Sequence, residues 1–261
     1  MRLSELKLRQ KRYGWHPDLP DGRDLLYQAP RRLAKALPAK ADLRPWCSPV
    51  EDQGALGSCT ANALAGALEF LENKARQAPF ADLSRLFIYY NERVLEHSTA
   101  SDSGAQLRDG VKSLAKLGVC KESLWPYAIA RFAQKPGPAC YKDAAKRVIS
   151  AYHRILGLQQ LKACLASGYP VAFGFTVYAC FESQAVAKTG IMPMPRPGEA
   201  VLGGHAVLAC GYDDKAKRLL VRNSWGPAWG MQGYFTMPYA YVQAPGLASD
   251  FWTITAEPWQ A

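Results

Sequence analysis

Near residue 146 the hydrophobic pattern of this chain changes period. Before that point apolar residues recur at helical spacing: after Cys59 come Ala61, Leu64, Ala65, Leu68 and Leu71, at i, i+3, i+4, i+7 and i+10. The pattern predicts a helix over Cys59–Arg76, and two more over "LSRLFIYYNERVLEH" and "QLRDGVKSLAKLG", the last closed by Gly118. Beyond residue 146 the runs "RVISAYHRI", "YPVAFGFTVY", "HAVLACGYD", "RLLVRNSW" and "GYFTMP" are β-branched or aromatic and bounded by glycine, proline and aspartate. A short helix around "LQQLKACLAS" interrupts them. The expected class is α+β: a helical lobe over 41–145 and an antiparallel β lobe over 146–261, with a ligand site in the cleft between them.

Residues 1–40 read as an extension to this two-lobe domain. They hold ten Lys and Arg against four Asp and Glu, a large part of the chain's +10 formal charge. A basic arm attracts nucleic acid or anionic lipid. No nucleic-acid-binding signature accompanies it, so solvated charge is the expectation. The arm also carries Tyr13, Trp15, Leu19, Leu25, Leu26 and Tyr27, with Pro17 and Pro20 stiffening the chain between them. Such a segment is expected to lie on the domain, either as a brace across one lobe or as a block in the cleft.

The 261 residues, 49% hydrophobic, suffice for a real core. The longest apolar run, "YPVAFGFTVYACF", is too short and polar to span a bilayer. The N-terminus has basic residues without an apolar stretch after them, so a cytoplasmic protein, or one exported without a secretory signal, is expected. Seven cysteines stand apart with no C-x-x-C pair, which argues against a zinc site and for largely reduced thiols. No cofactor or metal is expected, and a monomer is expected, with a protein or peptide substrate as its partner.

The stretch "DQGALGSCTANALAGALEF" sets a cysteine at the mouth of the first helix, behind Gly54 and Gly57. First-turn amides have no internal partners and favour negative charge, so a thiol there is expected to lose its proton more readily than a free one. Taken alone, Cys59 is equally a small core residue. A thiolate nucleophile needs a base, and the chain has four histidines. His205 follows Gly203 and Gly204 and opens a strand, where its ring would be uncrowded. In the next strand Asn223 would fix the imidazole's orientation, and Trp225 would cover the pair. Gln53 would then supply a side-chain donor to an oxyanion, beside the Cys59 N–H. Without the others it would be a loop glutamine bonding its own turn.

Four blocks in order, "PVEDQGALGSC", "SGAQLRDG…GVCKESLWPY", "GGHAVLACGYD" and "RNSWGPAWGMQGYF", resemble the papain (C1) family of cysteine peptidases, in a compact bacterial form. Cys59 and His205 stand 146 residues apart, within the ~130–150 of such enzymes. The resemblance covers residue 41 to the C-terminus. It implies a helical left lobe and a barrel-like right lobe, with Cys59 as nucleophile, His205 as base and acid, Asn223 as orienter and Gln53 as oxyanion donor. It also implies substrate contacts at Gly104, Ala105, Gly203, Gly204 and Trp225. Three positions depart from the family pattern: Leu56 stands where a disulfide cysteine is usual, Thr60 replaces an aromatic residue, and Ala105 replaces the second glycine of a pair. The implied reaction is endopeptidase hydrolysis through a thioester. The same groups also suit an amidase or transferase, and an inactive papain-like scaffold is the non-enzyme alternative.

Overall fold

The computed structural model describes residues 13–75 and 81–256. In chain order these form α1 (Arg31–Lys35), β1 (Lys40–Asp42), α2 (Cys59–Ala75), α3 (Arg85–Leu95), α4 (Leu107–Leu117), α5 (Pro138–Ala144), β2 (Ala151–Arg154) and α6 (Gly157–Ala166). There follow β3 (Val171–Tyr178), α7 (Gln184–Thr189), β4 (Val201–Asp213), β5 (Arg218–Arg222), β6 (Tyr234–Pro238), α8 (Tyr239–Gln243) and β7 (Ala248–Thr255).

The change of period near residue 146 becomes the divide between a helical layer and a sheet. Every residue of α2 from Cys59 to Phe70 is buried, so this helix is enclosed rather than amphipathic. It packs on α3 and α4 on one side and on β4 and β3 on the other. The expected end of α2, at Arg76, lies outside the described residues. Helix α3 starts where the Ser84 side chain accepts from the Phe87 N–H at 3.1 Å, a cap that satisfies one orphan donor. Helix α4 stops at Gly118, as the sequence suggested.

The sheet is antiparallel, ordered β2-β7-β3-β4-β5-β6, and β1 pairs with the distal part of β4 through Lys40↔Asp213 to Asp42↔Gly211. The barrel-like expectation needs correction in one respect, because the sheet does not close. Strand β2, at one end, receives the N-terminal arm, with Arg154 N donating to Leu25 O (2.7 Å) and Tyr27 N to Arg154 O (2.8 Å). Strand β6, at the other end, meets Ile191 in an isolated bridge to Thr236. Local segments thus cover the edges that closure would have paired. Strands β1 and β7 and helices α1, α5, α7 and α8 carry weaker sequence patterns and are absent from the sequence-based expectation.

Candidate active site

Cys59 begins α2, where a turn through Gly54 and Gly57 releases the chain into the helix. His205 does not sit at a strand mouth. Strand β4 starts four residues earlier, at Val201, and leaves His205 inside the sheet opposite Phe175 with no solvent exposure. Its ring lies between neighbours: Trp225 stacks on it at 5.0 Å and 26°, and Phe175 approaches edge-on at 5.7 Å. The β4–β5 register pairs Leu208 with Arg222, so the next residue, Asn223, falls opposite Val207 on the face that His205 shares. There His205 Nε2 donates to Asn223 Oδ1 at 2.8 Å. The Ser224 backbone N–H donates to the same atom at 2.9 Å, which identifies that atom as the oxygen and so fixes the proton on Nε2.

Gln53 is buried and held at both ends of its amide. Its Oε1 accepts from Ser224 Oγ (2.6 Å), and its Nε2 donates to Leu56 O (2.9 Å), which keeps the NH2 end at the turn that enters α2. The backbone N–H of Ala206, the residue after His205, is directed at the Cys59 sulfur. Helix start, strand β4, the end of β5 and the 53–58 turn therefore meet around one thiol.

The expected acidity of that thiol is overturned in this state. Burial pushes Cys59 up to about 11, although the N–H groups of Ala206, Gly14 and Thr60 pull the other way. The N-terminal arm lies over this site. Gly14 O accepts from Ala105 N at 2.7 Å, Trp15 N donates to Gly204 O at 3.0 Å, and His16 N donates to Ala105 O at 3.2 Å. The arm thus runs parallel to Ala105 as a short added strand. A side chain at position 14 would put a Cβ 1.8 Å from Gly57 O, so the approach to the turn that enters α2 admits only glycine. Trp15 is 6% exposed and lies flat over Gly174, where a Cβ would stand 1.8 Å from the ring. Tyr13 packs against Gly203, reaches edge-on to His205 at 6.0 Å, and donates its hydroxyl to Glu182.

Gly104, Ala105, Gly203, Gly204 and Trp225, the residues assigned to substrate contact, all touch this arm or frame it. Tyr13, Gly14, Trp15, Gly174 and Ser224 were missed as site residues. The "YGW" string was the available signal: a glycine between two large aromatics fits a backbone that must pass close to another chain segment. Of the apolar arm residues, Trp15 is buried and Tyr13 and Tyr27 are partly buried, but Leu19, Leu25 and Leu26 are exposed, contrary to expectation. Polar contacts hold that part instead. Asp18 accepts from Trp252 Nε1 (2.8 Å) and Arg108 N (3.1 Å), its own N–H donates to Asp250 Oδ2 (2.7 Å), and Asp24 pairs with Arg108 (2.6 Å) and Arg154 (2.9 Å).

Among the described residues no helix is long and apolar enough to cross a membrane, and no group of three or more His, Cys, Asp or Glu is placed to hold a metal ion. Known proteins agree with this geometry. The profile of the family described as papain family cysteine protease matches residues 37–254. The peptidase C1-like protein L477 of Acanthamoeba polyphaga mimivirus is 41% identical over 269 residues, covering 94% of this chain and 86% of that protein. Cysteine proteinase 3 of Entamoeba histolytica is 31% identical over 227 residues, covering 84% and 69%. Among solved structures, xylellain, a cysteine protease from Xylella fastidiosa, superposes with a TM-score of 0.89 at 45% identity, covering 94% of this chain and 96% of that one. Site geometry, matched profile and relatives converge, and the chain belongs to the papain family of cysteine proteases, hydrolases that cleave peptide bonds.

Proposed function

We propose that this protein is an endopeptidase whose nucleophile is Cys59 and whose cleft is held shut by its own N-terminal arm. The observation that carries this reading is the arm's backbone: it takes the hydrogen bonds of Ala105 and Gly204 while covering a completely buried Cys59. The arm passes the nucleophile from Tyr13, beside Trp225, to His16, beside Ala105, so the groove continues on both sides of the thiol. A groove of that form suits cleavage within a chain.

With the arm displaced, Cys59 regains solvent and its proton passes to His205, whose other nitrogen is already committed to Asn223. The thiolate attacks a peptide carbonyl carbon. The oxyanion that forms accepts from Gln53 Nε2 and the Cys59 N–H, and one such side-chain donor is worth about 3 kcal/mol. His205 then gives its proton to the departing amine, leaving a thioester. Water, deprotonated by His205, attacks the thioester and frees the acid. The arm meets the sulfur with the Gly14 N–H, a backbone donor.

The test pairs two measurements. Intact mass after treatment with an epoxysuccinyl reagent should show one adduct, at Cys59, and a protein substrate should release new N-termini. An adduct at Cys59 without new N-termini would point to a transferase; no adduct under conditions that displace the arm would end the nucleophile assignment.

A further inference from the structure

Far from the cleft floor, two thiols face each other without a bond. The Sγ atoms of Cys47 and Cys210 lie 3.7 Å apart. The approach is imposed by the backbone. Asp42 of β1 pairs with Gly211, Leu43 N donates to Cys210 O at 2.8 Å, and a single turn over Arg44–Trp46 then returns Cys47 to β4. Cys210 is completely buried, while Cys47 is only partly so, which makes Cys47 the member of the pair nearer to solvent. The segment leaving Cys47 is anchored as well: Arg222 donates to the carbonyls of Ser48 and Pro49 (2.6 Å to the latter), and Ser48 Oγ donates to the buried Glu69 at 2.5 Å. That segment leads into Gln53, and Cys210 lies on the strand that carries His205.

We propose that Cys47 and Cys210 are an oxidisable pair: a small-molecule disulfide such as oxidised glutathione converts them to a cystine that braces the segment entering Gln53 against strand β4. The Cys47 thiolate attacks one sulfur of the reagent and releases one thiolate. Cys210 attacks the Cys47 sulfur of the mixed disulfide, and its proton passes to the departing small thiolate, which leaves as the second thiol. Two protein thiols are oxidised, and one small disulfide becomes two thiols.

The chemistry of the pair suits this order of events. The Cys210 thiol beside it, and then the charge of Arg222, lower Cys47 to about 7, whereas burial holds Cys210 well above the ordinary thiol range. A reactive outer thiol is thus backed by a protonated inner one, and nucleophilic attack begins at the exposed member. A second pair gives the contrast. Cys120 and Cys140 also interact, but both are buried, so neither faces a reagent, and burial pushes Cys120 far up. Cys180 is raised to about 11 by burial and by Glu199.

The experiment uses the full chain carrying Cys59→Ala, which removes the competing nucleophile. After incubation with oxidised glutathione, mass spectrometry without reduction should show the loss of two hydrogens and a peptide linking Cys47 to Cys210. The thermal midpoint should rise by roughly 5 °C or more, as expected for a cross-link closing so long a loop, and fall back on adding dithiothreitol. Adding Cys47→Ser should abolish both changes; if that variant fails to fold, the mass reading on the parent still decides. Free, alkylatable thiols at both positions after oxidation would overturn the proposal. So would a lasting glutathione adduct on Cys47, linkage of either residue to another cysteine, or a linked form with an unchanged midpoint.

Discussion

The carbonyl of Gly14 accepts a hydrogen bond from the backbone N–H of Ala105 at 2.7 Å, and this bond draws the N-terminal arm into the groove beside Cys59. Position 14 has no room for a side chain, since a Cβ would lie 1.8 Å from the Gly57 carbonyl oxygen. Gly14→Ala should therefore lift the arm, at a docking cost of about 1–3 kcal/mol. Turnover of a small peptide substrate should rise roughly tenfold or more. A synthetic peptide of residues 13–27 should then inhibit this variant. If the variant loses stability without gaining activity, the arm is a brace and not a block.

Cys59→Ala should abolish turnover and lower the thermal midpoint by only a few degrees, because it removes a single buried sulfur at a cost of about 1 kcal/mol. Cys164→Ala should keep activity if the protein folds. Turnover comparable to the parent in the Cys59→Ala protein would sink the assignment of the nucleophile.

Gln53→Ala should lower kcat by about a hundredfold with little change in KM, the signature of a donor used mainly in the transition state. Asn223→Ala should also lower kcat, through loss of the bond that fixes the His205 proton on Nε2. In the Gly14→Ala background the pH profile of kcat/KM should be bell-shaped, because thiol and imidazole titrate as a coupled pair, and it should remain so in Asn223→Ala. Alkylation of Cys59 that simply rises with pH, as for an isolated thiol, would exclude the pair.

Docking of the arm should tighten on mild acidification. Burial, and then the charge of Asp18, raise Asp250 from 3.8 to about 6 while the arm is in place. When the arm leaves, Asp18 leaves with it and Asp250 faces solvent, so its pKa falls back. The docked form therefore binds the proton more tightly, and docking strengthens as pH drops through about 6 and weakens as it rises above. Against burial, the guanidiniums of Arg108 and Arg154 hold Asp24 below its ordinary value, so loss of that pairing begins only in stronger acid. The ratio of Gly14→Ala to parent activity, which cancels the titration of the catalytic groups, should grow from about pH 7.5 to about pH 5, by at most roughly tenfold. Asp250→Asn should flatten it. A ratio that shrinks with falling pH would reverse the assignment.

Much of this protein was legible in the sequence because its signals are local. The period of Ala61, Leu64, Ala65 and Leu68 wrote α2, and Gly54 and Gly57 wrote the turn that leads into its first residue. The order of Gln53, Cys59, His205 and Asn223, each inside a short distinctive block, carried the family resemblance and the α+β class. Periodicity, however, says which face of an element is buried and not what buries it. That Trp15 lies over Gly174, that Tyr13 reaches His205, and that Leu19, Leu25 and Leu26 stay exposed are outcomes of contacts between distant parts of the chain. The acidity of Cys59 belongs to the same class. The helix N-terminus favours the thiolate, yet burial of the sulfur in the fold outweighs it, because desolvation of a charge costs more than a few oriented amides return. Likewise the open sheet and the Cys47–Cys210 approach follow from which strands paired. The sequence by itself determined the chemistry and its order along the chain; the tertiary structure decided whether that chemistry is exposed, since burial is a property of neighbours that only folding brings together.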